Sequence, residues 1–253
     1  MKKVFRSIQT WFPFLHDTRF TLKFFWMKMR NKPHEPDFNA LLFFKPKPDE
    51  VLVDIGSNRG ESILSMLIAS KANYSNKIIG FEPNYLIFEK LKNYFRTNKR
   101  VSVYNFGLAN KDRDLTLFVP FYRKWMFDGL SSFKYEAAHD WLKTQLWRFD
   151  EHKLHIRTVK CEVKKLDDFK LKPYFVKIDV QGYELEVLKG AMETLKNFKP
   201  IILIESIDSE TKHFLQQFNY GFYSFVDGKF IADKGMVNTF CITSDKLGEL
   251  SKK

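Results

Sequence analysis

Four acids in this chain stand at the ends of short apolar runs. Val51-Leu52-Val53 leads to Asp54, Lys77 to Phe81 (KIIGF) to Glu82, Tyr174 to Ile178 to Asp179, and Pro200 to Ile204 to Glu205. Runs of this kind read as strands, and in an open α/β sheet ligands sit outside the carboxyl ends of the strands. The four carboxylates therefore belong on one rim. After Asp54 comes Gly56-Ser57-Asn58-Arg59-Gly60, then a helix-like segment beginning near Glu61. Small residues expose bare backbone and a helix start offers unpaired N–H groups, so this turn can cradle a nucleotide-like or carboxylate-bearing ligand.

The spacing discriminates between ligands. A dinucleotide site normally carries GxGxxG, whose close glycines make room for a pyrophosphate. Here the glycines are spaced GxxxG and follow Asp54 by two residues. A carboxylate there repels a pyrophosphate and favours a cationic ligand. S-adenosylmethionine carries a sulfonium and an ammonium and no phosphate, and Glu82 is placed to accept hydrogen bonds from its ribose hydroxyls.

The elements that must position these groups alternate along the chain. Strands are expected at 51–55, 77–81, 101–106, 174–179 and 200–204, with helices at 61–72, 85–98, 184–196 and 209–218. Residues 220–226 and 237–243 are expected to close the sheet as an antiparallel pair, with Gly228 in the turn after the first. Together these predict an α/β fold with a mostly parallel, seven-stranded sheet and helices on both faces. Residues 112–165 interrupt the rhythm as an insertion. It has strand-like pieces at 115–119 and 158–163, and its aromatic residues and histidines His139, His152 and His155 could close over the site as a lid.

Composition narrows the partners. The 253 residues are 44% hydrophobic with a net charge of +12, enough for one sizeable core and suited to an anionic partner. Residues 1–32 hold eight cations against Asp17 alone, interleaved with aromatics such as Phe5, Trp11 and Trp26. Such a segment could lie on an anionic membrane surface, grip a polyanion, or pack its aromatic face on the main domain. Prolines 33, 36, 46 and 48 mark a linker, which divides the chain into a basic aromatic segment, 1–48, and a main domain, 49–253. No apolar stretch is long enough to span a membrane, and Pro13, His16, Asp17 and Arg19 break the only signal-peptide-like start. Cys161 and Cys241 lack metal-site or disulfide spacing, which fits a reducing, cytoplasmic compartment, and no metal is assigned.

Beyond these readings, the sequence resembles the FkbM-type S-adenosylmethionine-dependent methyltransferases. The resemblance rests on VDIGSNRGES (Val53 to Ser62), GFEPN (Gly80 to Asn84), NFGLAN (Asn105 to Asn110), Leu166-Asp167-Asp168, FVKIDVQGYELEVLKGA (Phe175 to Ala191) and KPIILIE (Lys199 to Glu205). It implies a Rossmann-like class I methyltransferase domain with cofactor contacts at Asp54, Gly56, Ser57, Asn58 and Gly60 and a ribose contact from Glu82. It also implies Asn105 and Gly107 near the adenine and Asp179 facing both methyl donor and acceptor. The implied activity is O-methylation of a hydroxyl on a glycan, glycolipid or secondary metabolite. Gln181 stands where relatives often have Glu, so no catalytic role rests on it.

A hydroxyl acceptor gains from a base as well as from positioning. Asp179, at the end of its strand, is the first candidate and Glu184 the second, although an acid in a first helical turn also stabilises the helix itself. Two alternatives stand beside this reading. One is a ribose-directed RNA methyltransferase, suggested by the charge but disfavoured because no lysine accompanies Glu205 in sequence. The other is a noncatalytic membrane-surface protein on the same fold, against which the intact acids and glycines argue.

Overall fold

Alternation along β1 (Val51–Ile55) sends Leu52 to one face and Val53 and Ile55 to the other, and all three are fully buried. A strand apolar on both faces must be covered on both. The computed structural model describes residues 2–71, 73–232 and 237–251, and shows how that cover is built.

In chain order, α1 (Lys2–Gln9) and α2 (Leu15–Arg30) precede β1. Then follow α3 (Glu61–Ser70), β2 (Ile78–Phe81), α4 (Tyr85–Phe95) and β3 (Val101–Tyr104). Next come β4 (Gly107–Leu108), just before the insertion, and within it β5 (Arg113–Tyr122), β6 (Trp125–Met126), α5 (Tyr135–Gln145) and β7 (Leu154–Lys164). The rhythm resumes with β8 (Pro173–Ile178), α6 (Glu184–Lys189), α7 (Met192–Phe198), β9 (Ile201–Glu205) and α8 (Ser209–Gln216). It closes with β10 (Tyr220–Val226), β11 (Lys229–Ala232), β12 (Asn238–Thr243) and α9 (Ser244–Ser251).

The main sheet runs β11-β10-β12-β9-β8-β1-β2-β3, parallel from β9 to β3 and antiparallel where β12 joins β9 and β10. It has eight strands among the described residues instead of the expected seven. The extra one is β11, which folds back on β10 around Asp227 and Gly228, both at positive φ. The closing antiparallel pair is present as β10 and β12.

Three further expectations change. The helix over 184–196 is two helices, because a Cβ on Gly190 would lie 1.9 Å from the Ala109 carbonyl oxygen, and Asp167 accepts from the Glu193 and Thr194 N–H groups to start the second. The helix over 61–72 ends at Ser70, and Ala72 lies outside the described residues. The proline-marked stretch 33–48 is not a free spacer: Phe38, Leu41 and Phe44 are fully or almost fully buried, in the same core as Leu52, Ile63 and Phe175.

The N-terminal segment thus covers one face of the sheet. On α2, Phe24 and Met27 join that core, with Phe20 packed against it. The opposite core gathers Val53, Ile55, Phe81, Ile178 and Ile204 under α6, α7 and α8. With β4, the insertion forms a second, four-stranded sheet, β4-β7-β5-β6, with a small core around Leu117, Val119 and Val159. Cys161 and Cys241 are both buried, and burial pushes the Cys161 thiol up to about 12.

Candidate active site

Parallel pairing of β2, β1, β8 and β9 brings Glu82, Asp54, Asp179 and Glu205 to one rim. The turn after β1 is built on backbone that side chains resist. Gly56 has φ 81° and Gly60 φ 95°, and a Cβ on Gly56 would sit 1.9 Å from the Asp179 carbonyl oxygen. A Cβ on Gly60 would strike Phe95 and Leu91 of α4. The two glycines therefore let β1, β8 and α4 approach closely enough to form the rim.

Asp54 is fully buried, and neither of its carboxylate oxygens accepts a hydrogen bond among the described residues. Burial pushes it up to about 6, against the pull of the Lys177 ammonium. Ser57 turns its hydroxyl to the Asp54 carbonyl, at 3.0 Å. Glu82 accepts from the N–H of Asn58 at 2.7 Å and of Asn84 at 2.8 Å, and burial raises it to about 7 despite those bonds. The side-chain oxygen of Asn58 is also buried and has no hydrogen-bond partner among the described residues.

Asp179 is held as a carboxylate. Lys177 Nζ lies 2.9 Å from one oxygen, and the Gln181 amide donates to the other at 2.7 Å. Although burial opposes it, these partners and a hydrogen bond from Glu205 keep Asp179 below the usual range. Glu205, half-buried beside Asp179, is pushed up to about 8 by that partial burial and by the Asp179 charge. The pair thus shares one proton near neutral pH, with the charge on Asp179. No lysine flanks Glu205 in sequence, yet the fold brings the Lys177 ammonium into its group.

Two clefts meet at these residues. One, of about 460 Å3 with its open mouth, is lined by Gly56, Asn58, Glu82 and Asp179, and the insertion roofs it with Asp128, Gly129, Ser131 and Phe133. The other, about 360 Å3 and mostly polar, is lined by His34, Glu35, Ser57, Lys177, Asp179 and Glu205. Gly56, Asn58 and Asp179 belong to both. A ribose-bearing ligand matches this arrangement at Glu82, which lines the first cleft, with the Asp179 carboxylate bordering both clefts, whereas Asp54 is fully buried and lines neither.

The remaining residues singled out from the sequence lie elsewhere. Gly60 supports the turn from behind. Asn105 is exposed and donates to the Glu82 carbonyl at 2.8 Å, bracing the chain after β2. Gly107 is buried where a Cβ would meet Val163 and Phe133. Glu184 lines neither cleft and accepts from the Gly182 N–H at 3.0 Å, so its carboxylate braces the turn after β8. The three insertion histidines also line neither cleft: His152 and His155 are exposed, and His139 stacks on Tyr135 and pairs with Asp140 and Glu151. The insertion reaches the site through Asp128 to Phe133 instead.

Sequence reasoning misses His34, Glu35, Lys177 and Asp128 as site residues. The positions of His34, Glu35 and Asp128 depend on the packing of segments remote in sequence, although Pro33 and Pro36 around His34-Glu35 mark a stiff, extended pair, whereas Lys177 stands two residues before Asp179 and that same-face spacing could have found it.

Over 177 residues the chain is 30% identical to the hexuronic acid methyltransferase AglP of Haloferax volcanii, a match covering 70% of this chain and 64% of that relative. The crystal structure of methyltransferase FkbM from Methylobacillus flagellatus shares the fold at a TM-score of 0.52 and 19% identity, over 82% of this chain and 48% of that one. The family description "Methyltransferase FkbM domain" matches residues 54–226, which contain all four rim acids and both turn glycines. The chain belongs to the FkbM-domain methyltransferase family.

Proposed function

We propose that this protein is an S-adenosylmethionine-dependent O-methyltransferase acting on a sugar hydroxyl of a glycan or glycolipid. The single observation that carries the cofactor reading is Asp54: a fully buried carboxylate with both oxygens unpartnered, beside a turn that only glycines fit. Burying such a group is costly unless a ligand compensates it. The glycan reading draws on the AglP relative, whose name specifies a hexuronic acid.

The residues present fit the cofactor. Glu82 would take the ribose hydroxyls, the Gly56 to Gly60 turn the backbone-lined end, and the charge of Asp179, with buried Asp54 near it, would favour a cationic group. When bound, the cofactor would supply an electrophilic methyl group on sulfonium for transfer to an acceptor oxygen. Asp179 borders both clefts, so it orients the acceptor hydroxyl by accepting its hydrogen bond, and much of the rate gain comes from that positioning. The hydroxyl proton passes to the Asp179–Glu205 pair, while the Lys177 ammonium holds the pair's charge in place. Glu184 acts on the turn and not on the proton. Calorimetry with S-adenosylhomocysteine and transfer of labelled methyl to a glycan test the proposal. Absence of cofactor binding would sink it.

A second surface concerns location. Leu15, Leu22, Phe25, Trp26 and Met29 of α2 are all exposed and fall on the side of the helix opposite buried Phe24 and Met27. Arg19, Lys28 and Arg30 flank them. An apolar stripe with cationic shoulders complements an anionic bilayer surface, on which we place this protein peripherally. No helix among the described residues is long and apolar enough to cross a membrane.

A further inference from the structure

A third cleft, about 660 Å3 with its open mouth, lies between the N-terminal segment and the insertion. It shares Asn58, Asp128 and Gly129 with the cleft that Glu82 and Asp179 line, so the two adjoin. Its other walls include Arg6, Arg19, Trp125 and Trp141.

Charge in this cleft is unbalanced in one direction. Its two acids are already matched: Asp128 is paired with Arg59, and Glu61 with Lys23. The two arginines are not matched, since neither Arg6 nor Arg19 forms an ion pair with a carboxylate among the described residues. Their hydrogen bonds go to neutral amides, and each guanidinium also lies over an aromatic ring, Arg6 over Trp141 and Arg19 over Phe20. Arg6 Nη1 donates to the Gln145 side chain at 3.1 Å and to its carbonyl at 3.3 Å, and Arg19 Nη1 donates to Gln9 at 3.1 Å. A guanidinium has five N–H donors, so most remain available. Burial and the nearby Arg19 charge both lower the Arg6 pKa, as expected of two cations facing one gap. Arg6 also lies 4.6 Å over the Trp141 ring, fixing an indole beside the guanidinium.

Two forked cations and an indole, next to a methyl-transfer site, suit a planar anion on an otherwise apolar ring face. We propose that this cleft binds a carboxylate-bearing sugar residue of the acceptor, its carboxylate between Arg6 and Arg19 and its ring beside Trp141. The N-terminal segment is then part of acceptor recognition as well as cover for the sheet. The assignment of the cleft to an acceptor rests on the methyltransferase reading, but the anion binding itself does not.

The test uses the full chain without cofactor. A glucuronate-terminated disaccharide, its glucose-terminated counterpart and sodium sulfate are titrated by calorimetry, with tryptophan fluorescence as a second readout. Expected is glucuronate binding at least about tenfold tighter than glucose, weakened about tenfold or more in Arg6→Gln and in Arg19→Gln. Trp141→Leu should weaken the disaccharide and leave sulfate unchanged. Unaltered thermal melts and unaltered S-adenosylhomocysteine binding in the variants separate loss of the site from loss of the fold. Equal affinity for the two disaccharides, variants that bind like the parent, or sulfate binding as tightly as glucuronate would overturn the proposal. So would a single-stranded RNA oligomer that binds more tightly and is lost in the same variants. If S-adenosylhomocysteine fails to bind while glucuronate binds as described, the methyltransferase reading falls and the anion site stands.

Discussion

Arg59 and Asp128, 69 residues apart in sequence, form a buried ion pair in which the Arg59 Nε–H donates to the Asp128 carboxylate. The same guanidinium donates to Asp17 at 2.7 Å and meets His16 at 2.8 Å. One side chain of the cofactor turn therefore ties the N-terminal helix to the insertion that roofs the cleft. Removing one partner of a buried pair typically costs about 3–5 kcal/mol, because the other charge is left without compensation. Asp128→Ala is expected to lose stability of that order in urea unfolding and to expose residues 1–32 to proteolysis. Arg59→Met with Asp128→Leu should lose less than the single variant, and a larger loss would refute the pairing as the cause.

Gly56→Ala places a methyl 1.9 Å from the Asp179 carbonyl oxygen, at a φ of 81°. The turn must then move away from β8 by more than the tolerance of a positioned site. We expect S-adenosylhomocysteine affinity to fall about a hundredfold, read by calorimetry, with the protein still folded. Unchanged affinity would remove the turn from the binding site.

Three carboxyls are held above their ordinary values by burial: Asp54 at about 6, Glu82 at about 7 and Glu205 at about 8. The folded chain keeps protons there that the unfolded chain has released, so these groups favour folding most below pH ~4 and lose that contribution as pH rises toward 8. The melting temperature should accordingly decline between pH 5 and 8, and less so in Glu205→Gln. A cationic ligand favours the ionised forms, so binding of S-adenosylmethionine at pH 7 should release protons, measured as an enthalpy that depends on the buffer. S-adenosylhomocysteine, which lacks the sulfonium, should release fewer.

Asp179 and Glu184 differ in what they touch, and their variants should differ likewise. Asp179→Asn is expected to lower kcat by about 10²–10⁴ with the fold intact. Glu184→Gln, which retains an acceptor for the Gly182 N–H, should change kcat by less than about tenfold. Equal losses in the two would return Glu184 to the chemistry.

Replacing Leu22, Phe25 and Met29 together by Ser removes apolar area from the outer stripe of α2 without touching buried Phe24 or Met27. Co-sedimentation with phosphatidylserine vesicles should fall at least about tenfold, and the parent's binding should weaken with salt. A parent protein that does not sediment with these vesicles would rule out the membrane surface.

The order of strands, the rim acids and the two turn glycines were legible because each depends on local rules. Apolar runs make buried strands, parallel pairing aligns their ends, and a turn at positive φ selects glycine. The family resemblance extended that reading to Ser57, Asn58 and the block around Asp179. The break at Gly190 was not legible, since it arises from contact with Ala109, 81 residues earlier. The insertion histidines drew attention through residue type alone: His155 points outward from β7, His152 is exposed just before it, and His139 is held on α5 against Tyr135.

By itself, then, the sequence determined a parallel sheet with carboxylates and a glycine turn at one end, because period, propensity and backbone freedom act between near neighbours. Tertiary structure alone decided what surrounds those carboxylates. Lys177 on β8 influences Glu205 at the end of β9, His34 and Glu35 enter from a stretch that reads as linker, and Arg59 joins Asp17 to Asp128. Charge, desolvation and cleft shape depend on which distant segments pack together, and no local pattern encodes that.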